Sequence, residues 1–400
     1  MSFFKKFSLS LFSGRSENSD EPPSAAKTKL IPKLVTNPLP RNAPSSVNST
    51  HIKSDALTTL VSSDLIVDIA KIPCFKTTNF ISDKLQFEFD EPSLHGKLFI
   101  GSQYGWLTVL DQHSEPTLLN PWTGELISLP SVTTLPKVRP RHSVNGDICS
   151  YFSHTHHRTE YPFDDCAVDG YDVTFKKVLV STNPSISSSN FFAAALVGGC
   201  QSLVISRPGE SRWNLLREKE WYMDIMFRQN GKLICLTYEG AIHEVELKDD
   251  NFAITEMTAP FIKETIEFNM YLAEDCAGRV HIIYRTYEFE TGPETSEVKV
   301  FRLAESKWEH VKNLDGQTFF VGTNASISLA KQDICGEIKA DTIYFTEEWW
   351  DLVGPRDDID WPRDICSYSL MSDSIEPCCP DEHRQCLWPS PVWIHLPNHT

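Results

Sequence analysis

Four hundred residues, 40% of them hydrophobic, suffice for one large repeat domain or two ordinary ones with a real core. No stretch approaches the roughly eighteen apolar residues of a membrane-spanning helix, the longest apolar patch being Phe191–Val197. The formal charge is −17; up to Asp55 eight Lys/Arg face four Asp/Glu, so the remainder carries −21 (29 basic against 50 acidic residues), which repels phosphate backbones and speaks against a nucleic-acid partner.

Residues 1–16 hold three basic residues and no acidic one, and Phe3, Phe4, Phe7 and Leu11 can share one helical face. That composition suits an organelle presequence or a disordered tail with a few aromatics; Glu17, Asp20 and Glu21 follow at once. Location stays open between cytoplasm or nucleus and a mitochondrion or plastid. Residues 17–55 contain six prolines and many Ser and Asn, the composition of a flexible linker. Residues 1–55 therefore read as a disordered arm and 56–397 as the folded domain. In Ala56–Ala70 the apolar positions Leu57, Leu60, Val61, Leu65, Ile66 and Ile69 are spaced compatibly with a helix.

From Gly96 the chain alternates strand and turn. Gly96–Ser102, Gly105–Asp111, Thr117–Asn120 and Glu125–Leu129 are short apolar runs with Gly and Pro at the corners, the pattern of an antiparallel meander. Three further sets follow: Phe175–Ser181, Phe191–Val197, Leu203–Ser206 and Trp213–Leu216; then Met223–Arg228, Lys232–Tyr238, Ala241–Leu247 and Phe252–Met257; then Met270–Asp275, Arg279–Glu288, Val298–Leu303 and Trp308–Val311. Gly231 and Gly240 mark hairpin corners.

An internal repeat supports the division. LVISRPGESRWNLL (Leu203–Leu216) and VKVFRLAESKWEHV (Val298–Val311) share a strand, Arg, Glu-Ser, a basic residue, Trp and a second strand. Trp213 and Trp308 lie 95 positions apart with one further set between them, so each unit has the size of a propeller blade. Leu118–Leu129, with Trp122, is a looser copy 91 residues before Trp213. This spacing predicts an all-β fold, a β-propeller of six or seven four-stranded blades, with the repeated Trp as an aromatic plug between blades rather than a ligand platform.

The search for chemistry yields little. The polar interruption Arg139–Asp172 holds His142, His154, His156, His157, Asp164, Asp165 and Cys166, which are metal-ligand types without the spacing of a zinc motif, and it reads as a solvated loop. Cys378, Cys379, His383 and Cys386 read likewise, since adjacent cysteines rarely ligate one metal. The eleven cysteines are otherwise single and no secretory signal precedes them, so they are expected to be small buried thiols rather than disulfides, and the sequons at Asn48, Asn324 and Asn398 to be inert. No Gly-x-Ser-x-Gly elbow or phosphate-cradling glycine motif occurs, and no cofactor is implied. A hydrolase at a central channel would need several carboxylates or histidines converging on one mouth, and a glycan binder coplanar exposed Trp rings; the sequence singles out neither.

Glu347–Asp364 (EEWWDLVGPRDDIDWPRD) is the most distinctive surface candidate, with seven acidic residues, three Trp and two Arg. It is either an acidic loop whose Trp residues pack back on the blade or a partner-binding site. In the second case Trp349, Trp350, Arg356 and Trp361 are the anchors and the carboxylates steer a basic protein partner.

The segments GSQYGWL (Gly101–Leu107), LLNPWTGELISLP (Leu118–Pro130), DTIYFTEE (Asp341–Glu348) and WPSPVWI (Trp388–Ile394) together resemble the plant F-box-associated KIB-type β-propeller family, across Asp55 to Pro397. The resemblance implies a non-catalytic protein-interaction module like the substrate-receptor propeller of F-box proteins, with Ala56–Ala70 as the opening strand. The six prolines of residues 17–55 leave no room for the packed helices of an F-box, so docking to a ubiquitin-ligase scaffold is not expected. An adaptor, a decoy or an organelle-resident relative fits instead.

Overall fold

Strands dominate the computed structural model. It describes residues 58–61, 97–153, 159–162, 175–247, 252–333, 338–346, 364–378 and 392–395, less 112, 122, 137, 199–200, 218–219, 261–267 and 289–293. The chain divides into two units, Met1–Ile52 and Lys53–Thr400, and every described residue belongs to the second.

The first described strand is β1 (Thr58–Val61), so the opening of Ala56–Ala70 is extended, as the family resemblance implies, and not helical. Next, β2 (Leu98–Gln103), β3 (Trp106–Leu110), β4 (Pro116–Leu119) and β5 (Leu126–Ser128) form an antiparallel four-stranded sheet in sequence order. The strands β6 (Val138–His142), β7 (Ile148–Ser153) and β8 (Thr159–Pro162) form a separate three-stranded sheet. Two more four-stranded sheets follow: β9 (Phe175–Val180), β10 (Ala193–Val197), β11 (Ser202–Ser206) and β12 (Asn214–Leu215); and β13 (Tyr222–Phe227), β14 (Leu233–Thr237), β15 (Ile242–Leu247) and β16 (Phe252–Glu256). The fourth blade comprises β17 (Phe268–Glu274), β18 (Val280–Glu288), β19 (Glu294–Ala304) and β20 (Lys307–His310). The fifth has β21 (Thr318–Val321), β22 (Ser326–Leu329), β23 (Thr342–Phe345), β24 (Cys366–Ser369) and β25 (Ser374–Pro377), in the order β22-β21-β23-β24-β25 with β21 and β23 parallel. Finally β26 (Val392–His395) pairs antiparallel with β1, Thr58 opposite His395.

Five blades are thus present among the described residues, not the six or seven expected. The 91-residue gap between Trp122 and Trp213 is nearly as long as the 95-residue gap from Trp213 to Trp308, which encloses one whole blade. What the shorter gap encloses is the β6–β8 sheet, which takes no place in the ring, because β2 packs directly against β9. The same sheet corrects the reading of Arg139–Asp172 as one solvated loop: Tyr151 is buried in the core shared by the first two blades, with Val138 and Ile148 packed against it, so one face has enough apolar surface to order the strands.

Around the ring, β9 packs against β13, β13 against β17, β17 against β22, β22 against β26, and β26 against β2. Four hydrophobic clusters straddle two consecutive blades: Leu98, Ile100 and Trp106 with Val178 and Ala195; Leu196 and Ile205 with Ile225 and Cys235; Ile234 and Ile242 with Leu272 and Ile282; Ile283 and Val300 with Phe319 and Phe345. Strands near the ring's interior are therefore covered on both faces and read as near-continuous apolar runs, such as WLTVL in β3, the second strand of its blade, instead of alternating.

The repeated tryptophans do what their position suggests. Trp213 is buried against Phe175 and donates its Nε1–H to the Pro130 carbonyl of the preceding blade at 2.8 Å. Trp308 packs against the cluster that joins the third and fourth blades. The sequence segments that carry the family resemblance are also joints. Gly101 faces the Val178 carbonyl of β9, where a Cβ would overlap the backbone oxygen. Gln103 accepts from Val180 N–H at 3.0 Å, Tyr104 donates to the Ser181 carbonyl, and Trp106 to Ser185 Oγ. Asp341 takes the amides of Leu314 and Gly316, and Trp393 of β26 donates to the Val321 carbonyl at 3.0 Å.

Candidate protein-interaction face

Strands β13 and β17 begin, and β14 and β18 end, on one face of the propeller, since Tyr222 pairs with Thr237 and Phe268 with Thr286. Two constructions sit at this near face, one on either side of the start of β17.

The first is built on Arg285, a fully buried arginine in the strand VHIIYRTYE, of which all but the last residue are buried. Its Nη1 donates to the Thr346 carbonyl at 3.0 Å, and its Nη2 donates to the Asp364 carbonyl at 3.0 Å and to Asp364 Oδ2 at 2.7 Å. Its Nε donates to Thr295 Oγ1 at 2.7 Å, and that hydroxyl donates in turn to Asp364 Oδ2 at 2.6 Å. Phe345 and Tyr287 place ring faces 4.5 and 5.1 Å from the guanidinium carbon. Burial works against the charge, but the acidic neighbours Tyr287, Asp364, Tyr271 and Cys366 together raise the Arg285 pKa well above the usual arginine value. Burial also pushes the Cys366 thiol up, to about 12, so it is held as an inert thiol. The guanidinium spends its fork on the two residues that flank 347–363, Thr346 at the end of β23 and Asp364 just before β24. It is a clamp on the two ends of that segment.

The second construction is aromatic. Trp221 and Tyr238 meet edge to face at 6.4 Å, Tyr238 packs on Phe268 at 5.3 Å, and Phe268 stacks on Tyr284 at 5.1 Å. Tyr238 is 39% exposed, while Phe268 and Tyr284 are buried.

The expected anchors Trp349, Trp350, Arg356 and Trp361 lie outside the described residues, as do His154, His156, His157, Asp164, Asp165, Cys166, Cys379, His383 and Cys386. His142 is spent locally, its Nδ1 on the Gly146 carbonyl at 3.0 Å, and Cys378 is half-buried. Among the described residues no group of three or more His, Cys, Asp or Glu is placed to hold a metal ion, and no helix is long and apolar enough to cross a membrane. Five described cysteines carry free thiols, but only Cys235 and Cys366 are buried; Cys276 is exposed, so the expectation of uniformly buried thiols is too simple. Asn324 is buried and donates to the Trp393 carbonyl at 3.2 Å, which closes that sequon by packing.

On the inner strands, the carboxylate that stands out is Asp224. It accepts from Lys177 Nζ at 2.6 Å on the blade before it, from Leu272 N–H at 2.8 Å on the blade after it, and from Ile225 N–H. Burial pushes its pKa up against the pull of Lys177 and the two amides. Its oxygens satisfy a free inner-edge amide and tie three blades together.

Residues 76–369 match the family described as KIB1-4 beta-propeller. The chain belongs to this family. No curated protein matches it. Among solved structures it is similar to YCF48 bound to D1 peptide (14% identity, TM-score 0.26, 53% of this chain and 65% of that one). It is also similar to a puromycin-hydrolyzing peptidase of Mycobacterium tuberculosis (13% identity, TM-score 0.30, 71% of this chain and 38% of that one). The chain spans less than two thirds of the length of either, and at these TM-scores neither likeness bears on activity. The joints at Gly101–Trp106 and Asp341–Thr346 and the clamp residues Arg285, Thr346 and Asp364 all lie within the matched residues. The clamp's signal in the sequence is an arginine directly after the apolar run Ile282–Tyr284, a residue type that is rarely fully buried unless paired.

Proposed function

We propose that the chain is a non-catalytic protein-interaction module whose near face receives a partner protein, with residues 347–363 as a principal contact. The observation that supports this most is the clamp: a fully buried arginine is committed to the two carbonyls that flank this segment. Burying a guanidinium costs several kcal/mol before its bonds offset it. A loop without a role needs no such anchor. The segment offers Trp349, Trp350, Arg356 and Trp361 as anchors, with the carboxylates steering a basic partner. The role is that of a receptor or adaptor propeller, a decoy or an organelle-resident relative.

The test is quantitative affinity purification of the tagged full chain beside a Trp349→Ala/Trp350→Ala/Trp361→Ala variant, both checked for an unchanged thermal midpoint. A defined subset of co-purifying proteins is expected to fall at least about tenfold, the scale of an aromatic hot spot. Identical recovery from both chains would remove residues 347–363 from the reading.

A further inference from the structure

The turn that carries Tyr238 is rigid for reasons visible residue by residue. Gly240 has φ +84°, and its amide donates to the Thr237 carbonyl at 3.0 Å. Thr237 Oγ1 accepts from Ala241 N–H at 3.0 Å, and Thr237 N–H donates to the Ala241 carbonyl at 2.8 Å. The Tyr238 amide donates to the Trp221 carbonyl at 3.0 Å, which ties the hairpin to the strand entering β13. The ring of Tyr238 stands on Phe268 and Trp221, so its exposed part is held in place by packed aromatics. An aromatic side chain ordered before binding loses little entropy when a partner covers it.

The charges around it have one sign in excess. Glu220 precedes Trp221, Glu239 follows Tyr238 and is exposed, and Glu256 lies across from His243 in the same blade. Arg217 is ion-paired with Glu220 at 3.5 Å. Among the described residues of this corner that leaves Glu239 and Glu256 without an ion pair. The 84° angle between the Trp221 and Tyr238 rings offers no flat platform for a sugar, and the carboxylates repel anions.

We propose that this corner, formed by Trp221, Tyr238 and Glu239, binds a basic segment of a partner polypeptide, one arginine or lysine cation lying on the Tyr238 ring. The cation is held by the ring quadrupole, and Glu239 takes its hydrogen bonds. The charge of −17 gathers such a segment from solution. The inference rests on the reading that the near face receives a protein, but it uses residues separate from 347–363.

The experiment is fluorescence anisotropy of a labelled arginine-rich peptide and a matched glutamate-rich peptide against the full chain. The arginine peptide binds and the glutamate peptide does not. Tyr238→Ala weakens binding about tenfold and Glu239→Gln about threefold, in keeping with a cation on a ring backed by a carboxylate. Raising salt from about 50 to about 200 mM weakens it further. Glu239→Gln alters an exposed side chain and guards against a folding defect in Tyr238→Ala. No binding of the arginine peptide, or equal binding by wild type and both variants, overturns the inference. Loss with Trp349→Ala/Trp350→Ala but not with Tyr238→Ala also overturns it while leaving the reading of residues 347–363 intact. Loss with Tyr238→Ala alone supports it even where the tryptophan variants recover partners normally.

Discussion

Arg285 shows how a single side chain fixes a structure by having no alternative. Arg285→Met keeps the stem but leaves the buried Asp364 carboxylate without its cation, with only the Thr295 hydroxyl on Oδ2, and removes the donor from the Thr346 carbonyl. Removing one partner of a buried pair costs about 3–5 kcal/mol, because the other charge stays behind. That loss is read as a fall in ΔG from urea unfolding, and Arg285→Met/Asp364→Asn should recover part of it. His281 supplies a second residue-scale expectation. It is buried against Phe319, with Nδ1 facing the Arg279 carbonyl at 3.1 Å, so that nitrogen carries the hydrogen. Burial lowers its pKa from 6.5 to about 4, against the opposing pull of Asp275. The unfolded chain therefore takes up this proton first. The contribution is fully present above the unfolded value and is lost as pH falls from 6.5 towards 4, up to about 3 kcal/mol. Urea titrations at pH 7 and pH 4.5 measure it, and a His281→Asn variant should lose less over the same interval than the wild type.

The elements explain what could be read from the chain alone. Strand limits in the second, third and fourth blades were legible within a few residues, because covered strands between glycine corners leave little ambiguity: Gly231 and Gly240 both adopt positive φ, +79° and +84°. The repeat was legible because Trp213 and Trp308 occupy one role in two blades, each closing the gap to the blade before it. Trp213→Ala should therefore cost about 3–5 kcal/mol, the usual penalty for emptying a buried tryptophan site, and show as a lower melting temperature in calorimetry. The blade number was not legible. Periodicity measures distance along the chain and is blind to whether a sheet joins the ring or lies outside it, as β6–β8 does. Nor was the five-stranded last blade, whose inner strand β22 follows β21 in sequence and whose β21 and β23 run parallel. Of the candidate site, the tryptophan-rich segment stands out by composition but lies outside the described residues, whereas Arg285 lies 79 positions from Asp364 and Tyr238 17 from Trp221, separations that carry no pattern until the blades are set side by side.

At the scale of the whole molecule, stability is a sum of joints. Each blade buries its faces against the next, and polar contacts that cross the gaps, at Gln103 and at Asp224, satisfy backbone groups that an inner strand leaves free. The joint between the last blade and the first is different in kind, being made by β26 with its partner β1. Thr58 faces His395 and Val61 faces Val392, so the start of one strand lies beside the end of the other. Topologically the propeller is then an interrupted circle whose two chain directions leave from one corner. A short linker from residue 395 to residue 58, with new termini cut in the Arg228–Gly231 turn, would preserve every pairing in the five blades. The described chain thus enters and leaves the propeller side by side, at Thr58 and His395.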